Sequence, residues 1–261
     1  MKILLTGHKG FIGSHLLSKL LSLGHEVSTY EWGESFTSVI EQDWVIHVGA
    51  ISSTTEKDVE KIMRQNVDFT TQLYDVCKTY GVNFQFASSA SVYGFGSYFA
   101  EDAPVDPRTP YAWSKYLCER HITRKMGGNV TQIFRYFNVY GPDGEEHKGN
   151  QASPFCQFKH QAIANGKIKV FENSKDYLRD FISVDHVVDY HLKFLNIKES
   201  GIFNIGTGST LSFLDVAEKV LKNNPADIEY ISMPDNLKCS YQKYTCADMS
   251  KTWRVCETKI H

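Results

Sequence analysis

Apolar and polar positions follow two recurring patterns along the first half of the chain. KILLTG at 2–7 is a short continuous apolar run, as expected for a strand buried on both faces of a sheet. FIGSHLLSKLLSLG at 11–24 has apolar residues at helical spacing and ends on a glycine, which favours an α-helix. Further strands are predicted at 26–31, 43–50, 83–94 (running into a loop) and 130–141, and further helices at 55–81 and 110–126. Strands alternating with helices form parallel βαβ units, so the chain is predicted to be an α/β protein with a doubly wound parallel sheet of the Rossmann type.

Three glycines separate the first predicted strand from the first predicted helix. Gly7, Gly10 and Gly13 have the spacing GxxGxxG. Glycine backbones turn sharply and approach a pyrophosphate closely, and a helix N-terminus offers free N–H groups and the positive end of its dipole. A glycine-rich turn without a ligand is the alternative. The position between a buried strand and a helix nevertheless favours a dinucleotide site, which takes NAD or NADP.

Glu31 ends the second predicted strand, close to where a dinucleotide fold places an acid on the adenosine ribose. An acidic side chain at this point repels a 2′-phosphate and therefore favours NAD over NADP. A solvated glutamate at the end of a strand is the alternative interpretation.

The pattern becomes irregular after Gly141. A helix and a short strand are predicted within 147–171, a further helix within 179–195, and short strands at 201–208 and 228–233. We therefore expect a dinucleotide-binding Rossmann domain over residues 1–141. Residues 142–261 are expected to form mostly a small C-terminal substrate-binding lobe, with some elements returning to the Rossmann domain.

The composition argues against nucleic-acid and membrane partners. The formal net charge is −2 over 261 residues, which gives no basic patch for nucleic acid or an anionic membrane. No apolar run is long enough to span a bilayer and no secretory signal is evident, so a cytoplasmic protein is expected. The six cysteines are scattered without a CxxC pair, which predicts free thiols and no metal site.

Several longer stretches resemble a known family. The glycine triplet, SSASVYG at 88–94 and YAWSK at 111–115 resemble the extended short-chain dehydrogenase/reductases, the NAD-dependent epimerase/dehydratase family. Within that superfamily the chain is most similar to the ADP-glycero-manno-heptose 6-epimerases, in a shortened version, from Met1 to about Met249. The stretches that carry this likeness are HVGAISSTTE (47–56), FRYFNVYGPDGEEHKGNQAS (134–153), FENSKDYLRDFISVDHV (171–187), SGIFNIGTG (200–208) and MPDNLKCSYQKYT (233–245).

The resemblance implies a nucleotide-sugar epimerase that inverts C6 of an ADP-heptose. A tightly bound nicotinamide, one per subunit, removes a hydride to leave a ketone and then returns the hydride to the other face. Tyr111 is the implied base, and because free tyrosine titrates near about 10, its pKa must be pulled toward neutrality by a cation. Lys115 lies four residues further along a predicted helix, on the same face. Ser89 is implied as a hydrogen-bond donor to the reacting oxygen, and Lys148 in the HKG motif as the base for the opposite face.

The resemblance also implies two sets of binding residues. Those expected to contact the cofactor are Gly7, Gly10, Phe11, Ile12, Gly13, Glu31, Val48, Gly49, Ala50, Ile51, Ser52, Asn66, Lys115 and Val139. Those expected to contact the substrate are Ser89, Asn138, Asn150, Gln157, Phe171, Glu172, Asn173, Ser174, Arg179 and Tyr241. Arg179 is suited to hold a diphosphate through two parallel hydrogen bonds.

This chain departs from the family pattern in three ways. Only WGESFTSVIEQ separates Glu31 from the next strand, where the family has a longer segment with an additional strand. The sheet is therefore expected to be one strand shorter and the adenine pocket more open, which leaves NAD and NADP undistinguished. The family also has histidine at position 157 and serine at position 150. A final helix that the family carries is expected to be missing after CADMSKTWRVCETKIH.

Other functions remain open from the sequence. The expected partner is a nucleotide-diphosphate sugar, ADP-heptose first, bound by a homo-oligomer. A nucleotide-sugar 4-epimerase or dehydratase on the same scaffold is one alternative, although SSAS lacks the Asp-Glu pair of the dehydratases and a 4-epimerase would not need Lys148. A non-catalytic nucleotide-binding protein derived from an epimerase is another. Retention of Ser89, Tyr111, Lys115 and Lys148 argues against it.

Overall fold

The computed structural model describes residues 1–36, 38–49, 51–235 and 241–257, with His147 and Asn150 described in their backbone only. In chain order its strands and longer helices are β1 (Lys2–Thr6), α1 (Phe11–Ser22), β2 (Glu26–Tyr30), β3 (Trp44–His47), α2 (Val59–Ile62), α3 (Phe69–Tyr80), β4 (Asn83–Ser89), α4 (Pro110–Lys125), β5 (Thr131–Tyr136), β6 (Asn138–Tyr140), α5 (Pro154–Asn165), β7 (Lys167–Phe171), β8 (Leu178–Arg179), β9 (Phe181–Ser183), α6 (Val184–Phe194), β10 (Gly201–Ile205), β11 (Leu211–Ser212), α7 (Phe213–Leu221), β12 (Asp227–Ile231), β13 (Tyr244–Thr245) and α8 (Ser250–Cys256).

Six parallel strands form the central sheet in the order β10-β5-β4-β3-β1-β2. One side packs against α3 and α4 through a cluster that includes Tyr74, Phe84 and Ile122. The other side packs against α1 and α6, where Leu16 and Val188 belong to one cluster. The predicted doubly wound α/β fold is therefore confirmed. Strand β2 is the edge strand, and no further strand occurs in the described part of the short segment that follows it.

The second half adds short elements at the carboxyl edge of this sheet. Strand β10 joins the main sheet beside β5, as expected for an element that returns to the first domain. Strands β7 and β12 pair with each other and cover α5 and α7 through a cluster containing Phe158, Val170, Val216 and Val220. Among the described residues, no helix combines the length and the apolar character needed to cross a bilayer.

Two predicted elements differ from the structure. The strand predicted at 130–141 divides at Phe137, because the backbone N–H of Asn138 donates to Asp180 O and β6 pairs with β9 outside the main sheet. The helix predicted at 55–81 begins at Val59, capped by the side chain of Asp58, and contains a π-helical turn at Met63–Asp68. Hydrophobic periodicity does not reveal either break, since both depend on contacts with distant residues.

Candidate active site

The glycine turn between β1 and α1 is built so tightly that side chains cannot be accommodated. Gly7 has φ +77°, and a Cβ on it would lie 2.4 Å from Gly49 Cα. A Cβ on Gly13 would lie 2.0 Å from Gly7 O. The Gly10 N–H closes the turn on Gly7 O at 3.1 Å, and α1 begins at the next residue. A backbone cradle ending in a helix N-terminus is the arrangement that receives a pyrophosphate.

Two cavities adjoin this turn. The first, of about 170 Å³, is lined by Gly7, Gly10, Phe11, Ile12, Gly13, Glu31, Val48, Gly49, Ser52 and Lys148. The second, of about 120 Å³, is lined by Thr6, Gly7, Tyr30, Glu31, Trp32, His47, Gly49, Ile51, Gln65 and Phe69. Glu31 borders both, with its carboxylate accepting the Lys9 N–H at 3.3 Å. The residues present therefore fit a dinucleotide. Ala50 lies outside the described residues.

Sequence reasoning did not identify the aromatic wall of the second cavity. Trp32 and Phe69 meet edge to face with ring centroids 5.7 Å apart, and Phe69 stacks on Tyr30 at 5.2 Å. Flat apolar rings at this position are suited to contact a planar base. The only sequence signal was the aromatic residue that follows Glu31.

Tyr111 occupies the first turn of α4 and is buried. Thr109 caps this helix by accepting the Ala112 N–H at 3.1 Å, and Pro110 begins it, so the position of Tyr111 is set by the local sequence. Ser89, at the end of β4, lies close enough to the Tyr111 phenol for its side chain to stabilise the phenolate. The structure thus brings two of the predicted catalytic residues into contact.

Lys115 lies one turn further along α4 and is 4% exposed. Its Nζ donates to Ala87 O at 2.7 Å and lies 5.8 Å from the centroid of the Tyr111 ring. Burial lowers the pKa of Lys115 to about 8. Burial raises the pKa of Tyr111, and among the described residues Ser89 opposes this rise. The expected lowering of the Tyr111 pKa is therefore wrong for the protein alone, because desolvation of the phenolate outweighs its stabilisation.

A series of buried hydrogen bonds begins beside Ser89 and runs through Tyr136 and His191. Tyr136 is the Cα partner of Ser89 in the β4–β5 register, and its hydroxyl donates to His191 Nε2. His191 Nδ1 in turn donates to Gln85 Oε1 at 2.7 Å, since the Gln85 amide donates to Gln132 Oε1. Burial lowers the pKa of His191 to about 3, so the imidazole is neutral. These residues were not predicted, because their connection spans β4, β5 and α6.

Asn66 connects the segment that follows β3, through Ile51, with the helix that carries Tyr111. Its side chain accepts the Ile51 N–H at 2.8 Å and donates to Ile51 O and Ser114 Oγ, both at 3.0 Å. Ser114 Oγ donates to Tyr111 O at 2.7 Å. Asn66 therefore supports the nicotinamide side of the predicted site by orienting other groups. Val139 packs beside the main core from β6.

Lys148 borders the glycine-turn cavity. Its Nζ lies 4.0 Å from the centroid of the Phe11 ring and 3.2 Å from Glu145 Oε2. Glu145 is 1% exposed and also accepts hydrogen bonds from Gly141 N, Ser153 N and Ser153 Oγ. The structure thus places the Lys148 ammonium over Phe11, held by a buried carboxylate.

A cavity of about 370 Å³ between α5, β7 and α7 is lined by several predicted substrate residues. Its wall consists of Pro154, Gln157, Phe158, Gln161, Lys169, Val170, Phe171, Ser174, Tyr177, Phe213, Ile231 and Tyr241. Ser174 Oγ is buried with no hydrogen-bond partner among the described residues. A buried hydroxyl without a partner is destabilising, so it is well suited to bind a polar ligand atom.

The remaining predicted substrate residues that the structure describes do not line this cavity. The Arg179 guanidinium is 5.4 Å from the Tyr241 ring centroid and donates to Leu178 O and Gln242 O, and burial lowers its pKa. Asn138 donates to Asp180 O at 2.9 Å. Glu172 is exposed, and Asn173 has a left-handed backbone with φ +63°. The Asn150 side chain lies outside the described residues.

Comparison with known proteins agrees with this architecture. Residues 3–206 match the NAD dependent epimerase/dehydratase family. The chain is 37% identical to an ADP-L-glycero-D-manno-heptose-6-epimerase of Brachyspira hyodysenteriae over 288 aligned positions, covering 95% of this chain and 90% of the relative. That alignment exceeds the 261 residues of this chain, so the relative contains segments that this chain lacks.

Solved structures show the same fold. The crystal structure of the Helicobacter pylori ADP-L-glycero-D-manno-heptose-6-epimerase superposes with a TM-score of 0.88 at 24% identity, over 100% of this chain and 91% of that one. The UDP-N-acetylglucosamine 4-epimerase of Methanobrevibacter ruminantium M1 superposes with a TM-score of 0.87 at 22% identity, over 100% and 93%. Together with the dinucleotide cradle, these matches show that the chain is an enzyme of the NAD-dependent epimerase/dehydratase family, with a nicotinamide dinucleotide as its cofactor.

Proposed function

We propose that this chain is a nucleotide-sugar epimerase that inverts C6 of an ADP-heptose. The observation that carries the proposal is the 37% identity to a heptose 6-epimerase across 95% of the chain. Within this proposal residues 1–141 bind the dinucleotide, and residues 142–261 mostly bind the sugar nucleotide. The cavity beside Phe171, Ser174 and Tyr241 offers apolar rings and a buried hydroxyl for the nucleotide end.

Inversion at C6 requires the hydroxyl proton to be removed on one face and a proton to be returned on the other. NAD, when bound, supplies the hydride acceptor and donor. Tyr111 reacts as its phenolate, which takes the hydroxyl proton at the phenol oxygen and becomes a neutral phenol, and Ser89 stabilises that phenolate before the transfer. Lys115 contributes positive charge one helical turn away, and its Nζ is held by Ala87 O.

Lys148 serves the opposite face of the ketone in this proposal. It must exchange its contact with Glu145 for the substrate. The cost of this exchange is limited because Glu145 keeps three other hydrogen bonds, from Gly141 and Ser153, when the lysine leaves. The carboxylate therefore keeps hydrogen-bond donors while the ammonium becomes available.

The direct test follows conversion of ADP-heptose epimers and UDP-hexoses by NMR with the purified enzyme. We expect conversion of the ADP-heptoses alone, and a loss of roughly 100- to 10,000-fold in kcat for both Tyr111→Phe and Lys148→Ala. Lys159→Ala is the matched control, since that lysine pairs with Asp143 on the surface. Full activity of Lys148→Ala would refute its assignment, and conversion of a UDP-hexose instead would refute the substrate.

A further inference from the structure

A second group of reactive side chains lies next to the segment that carries Lys148. A cavity of about 260 Å³ is lined by Glu146, Gly149, Ala152, Cys156, Gln157, His160 and Gln161. Three of these residues, Glu146, Cys156 and His160, each present one ligand atom, and the three atoms lie within 4.8 Å of one another. Cys156 Sγ and His160 Nε2 are 4.0 Å apart. Nothing in the proposed epimerisation uses these groups.

The local structure explains why they converge. Cys156 and His160 are four residues apart on α5, so they share one face of the helix. Ser153 caps this helix by accepting the Cys156 N–H at 3.4 Å, which fixes the position of the first turn. Glu146 approaches from the 3₁₀ segment Glu146–Gln151, and one of its carboxylate oxygens accepts the Gly144 N–H at 2.9 Å.

We propose that Glu146, Cys156 and His160 form a binding site for Zn²⁺, with water as the fourth ligand. Thiolate, imidazole and carboxylate are the three side-chain ligands that zinc takes in proteins, and a set of three leaves one position open. With bonds of about 2.0–2.3 Å in a tetrahedron, ligand atoms lie roughly 3.3–3.8 Å apart. The observed Cys156–His160 distance of 4.0 Å therefore needs to shorten by only about half an ångström.

The ligand chemistry separates zinc from the abundant hard cations. Calcium and magnesium prefer six or more oxygen ligands, whereas this site offers one carboxylate beside a sulfur and a nitrogen. Binding converts the Cys156 thiol to a thiolate and releases its proton to solvent. Because Glu146 and His160 are exposed, the cation reaches the site without opening the core.

Zinc at this site would join the 3₁₀ segment to α5. Glu146 precedes Lys148 by two positions in that segment, and Gln157 belongs to both this cavity and the proposed substrate cavity. The bound ion would therefore restrain the approach to the substrate lobe. The binding itself is independent of the proposed epimerase activity.

The test uses the full untagged chain after removal of metal. Titration with Co²⁺ is expected to give a thiolate-to-cobalt absorption band at one ion per chain, and Zn²⁺ is expected to displace the cobalt and bleach that band. Cys156→Ser, His160→Gln and Glu146→Gln should each lose the band or weaken binding at least tenfold. Cys246→Ser, which changes a cysteine outside the cluster, should leave the titration unchanged.

The outcomes that overturn the proposal are equally specific. The site is refuted if the unaltered chain gives no thiolate-to-cobalt band, or if Cys156→Ser retains it. Circular dichroism of each variant distinguishes loss of a ligand from loss of the fold. The exposed Glu146 and His160 provide variants that do not disturb the core.

Discussion

At the residue scale, burial shifts the pKa values of the two proposed catalytic residues on α4, Lys115 and Tyr111, in opposite directions. It lowers the pKa of Lys115 from 10.5 to about 8 and raises the pKa of Tyr111. Both shifts favour the neutral side chain, because the interior stabilises a charge less well than water does. The Tyr111–Lys115 spacing was visible in the sequence, but the direction of the tyrosine shift was not, since desolvation depends on what surrounds the helix.

The first prediction concerns Lys115→Met. The folded pKa of about 8 lies below the usual 10.5, so the unfolded chain binds more protons between these values and the group's contribution to stability rises with pH there. At pH 7 this pKa shift corresponds to a cost of about 3 kcal/mol in the free energy of folding, because the charged Lys115 is buried. The hydrogen bond from Lys115 Nζ to Ala87 O offsets about 1 kcal/mol of that cost. We expect the free energy of unfolding of Lys115→Met to be about 2 kcal/mol higher than that of the parent chain at pH 7. This difference should become smaller toward pH 10.

Urea denaturation at several pH values measures this effect. Lys159→Met, at an exposed position, should change the free energy of unfolding by less than about 0.5 kcal/mol. Destabilisation by Lys115→Met, or a gain that does not vary with pH, would contradict the prediction. Epimerase activity should be lost in the same variant even though it is more stable.

At the scale of elements, a buried ion pair holds α4 against the sheet. Arg135 on β5 donates to both carboxylate oxygens of Glu119 on α4, at 3.0 and 2.7 Å. Ser88 on β4 donates to the same carboxylate, and the Arg135 guanidinium lies 4.7 Å from the Tyr93 ring centroid. Both charges are almost fully buried. The helix that presents Tyr111 is thus connected to two strands through one network.

The second prediction is that Arg135→Met destabilises the protein by about 3–5 kcal/mol, because it leaves the Glu119 carboxylate buried without its partner. The double variant Arg135→Met/Glu119→Leu should recover much of the lost stability, because it also removes the buried carboxylate that has no partner. The comparison requires urea denaturation of the two single variants and the double variant. If the stability losses of the two single variants add up to that of the double variant, Arg135 and Glu119 are not coupled and the prediction is wrong.

At the scale of the whole molecule, Asp180 joins the main sheet to the C-terminal elements. Its carboxylate, fully buried, accepts from Thr207 N and Oγ1 and from Gly208 N, in the loop that follows β10. It also accepts from Ala247 N, and its backbone carbonyl accepts from Asn138. Burial raises the pKa of Asp180, opposed by the hydrogen bonds from Thr207, Ala247 and Gly208.

The third prediction is that Asp180→Asn destabilises the protein by at least about 2 kcal/mol. The amide nitrogen would face N–H donors where the aspartate oxygen accepts them, which leaves buried donors unsatisfied. Backbone amides at residues 206–208 and 245–247 should lose most of their protection from hydrogen exchange. Asp143→Asn, on an exposed aspartate, is the control. Equal stability of Asp180→Asn and the parent chain would exclude this connecting role.

The sequence by itself determined the features that depend on nearby residues. The α/β alternation, the glycine turn and the helix that begins at Pro110 follow from periodicity and from the missing Cβ of glycine within a few positions. The glycine turn then became the expected place for the dinucleotide.

Only the tertiary structure decided which distant groups meet and how strongly water is excluded from them. The division of the strand at Phe137, the Tyr136–His191 contact and the convergence of Glu146 with His160 join separate elements. Burial then set the directions of the Tyr111 and Lys115 pKa shifts. Pairing between distant segments and desolvation depend on the packed chain as a whole, and no local pattern of residues contains them.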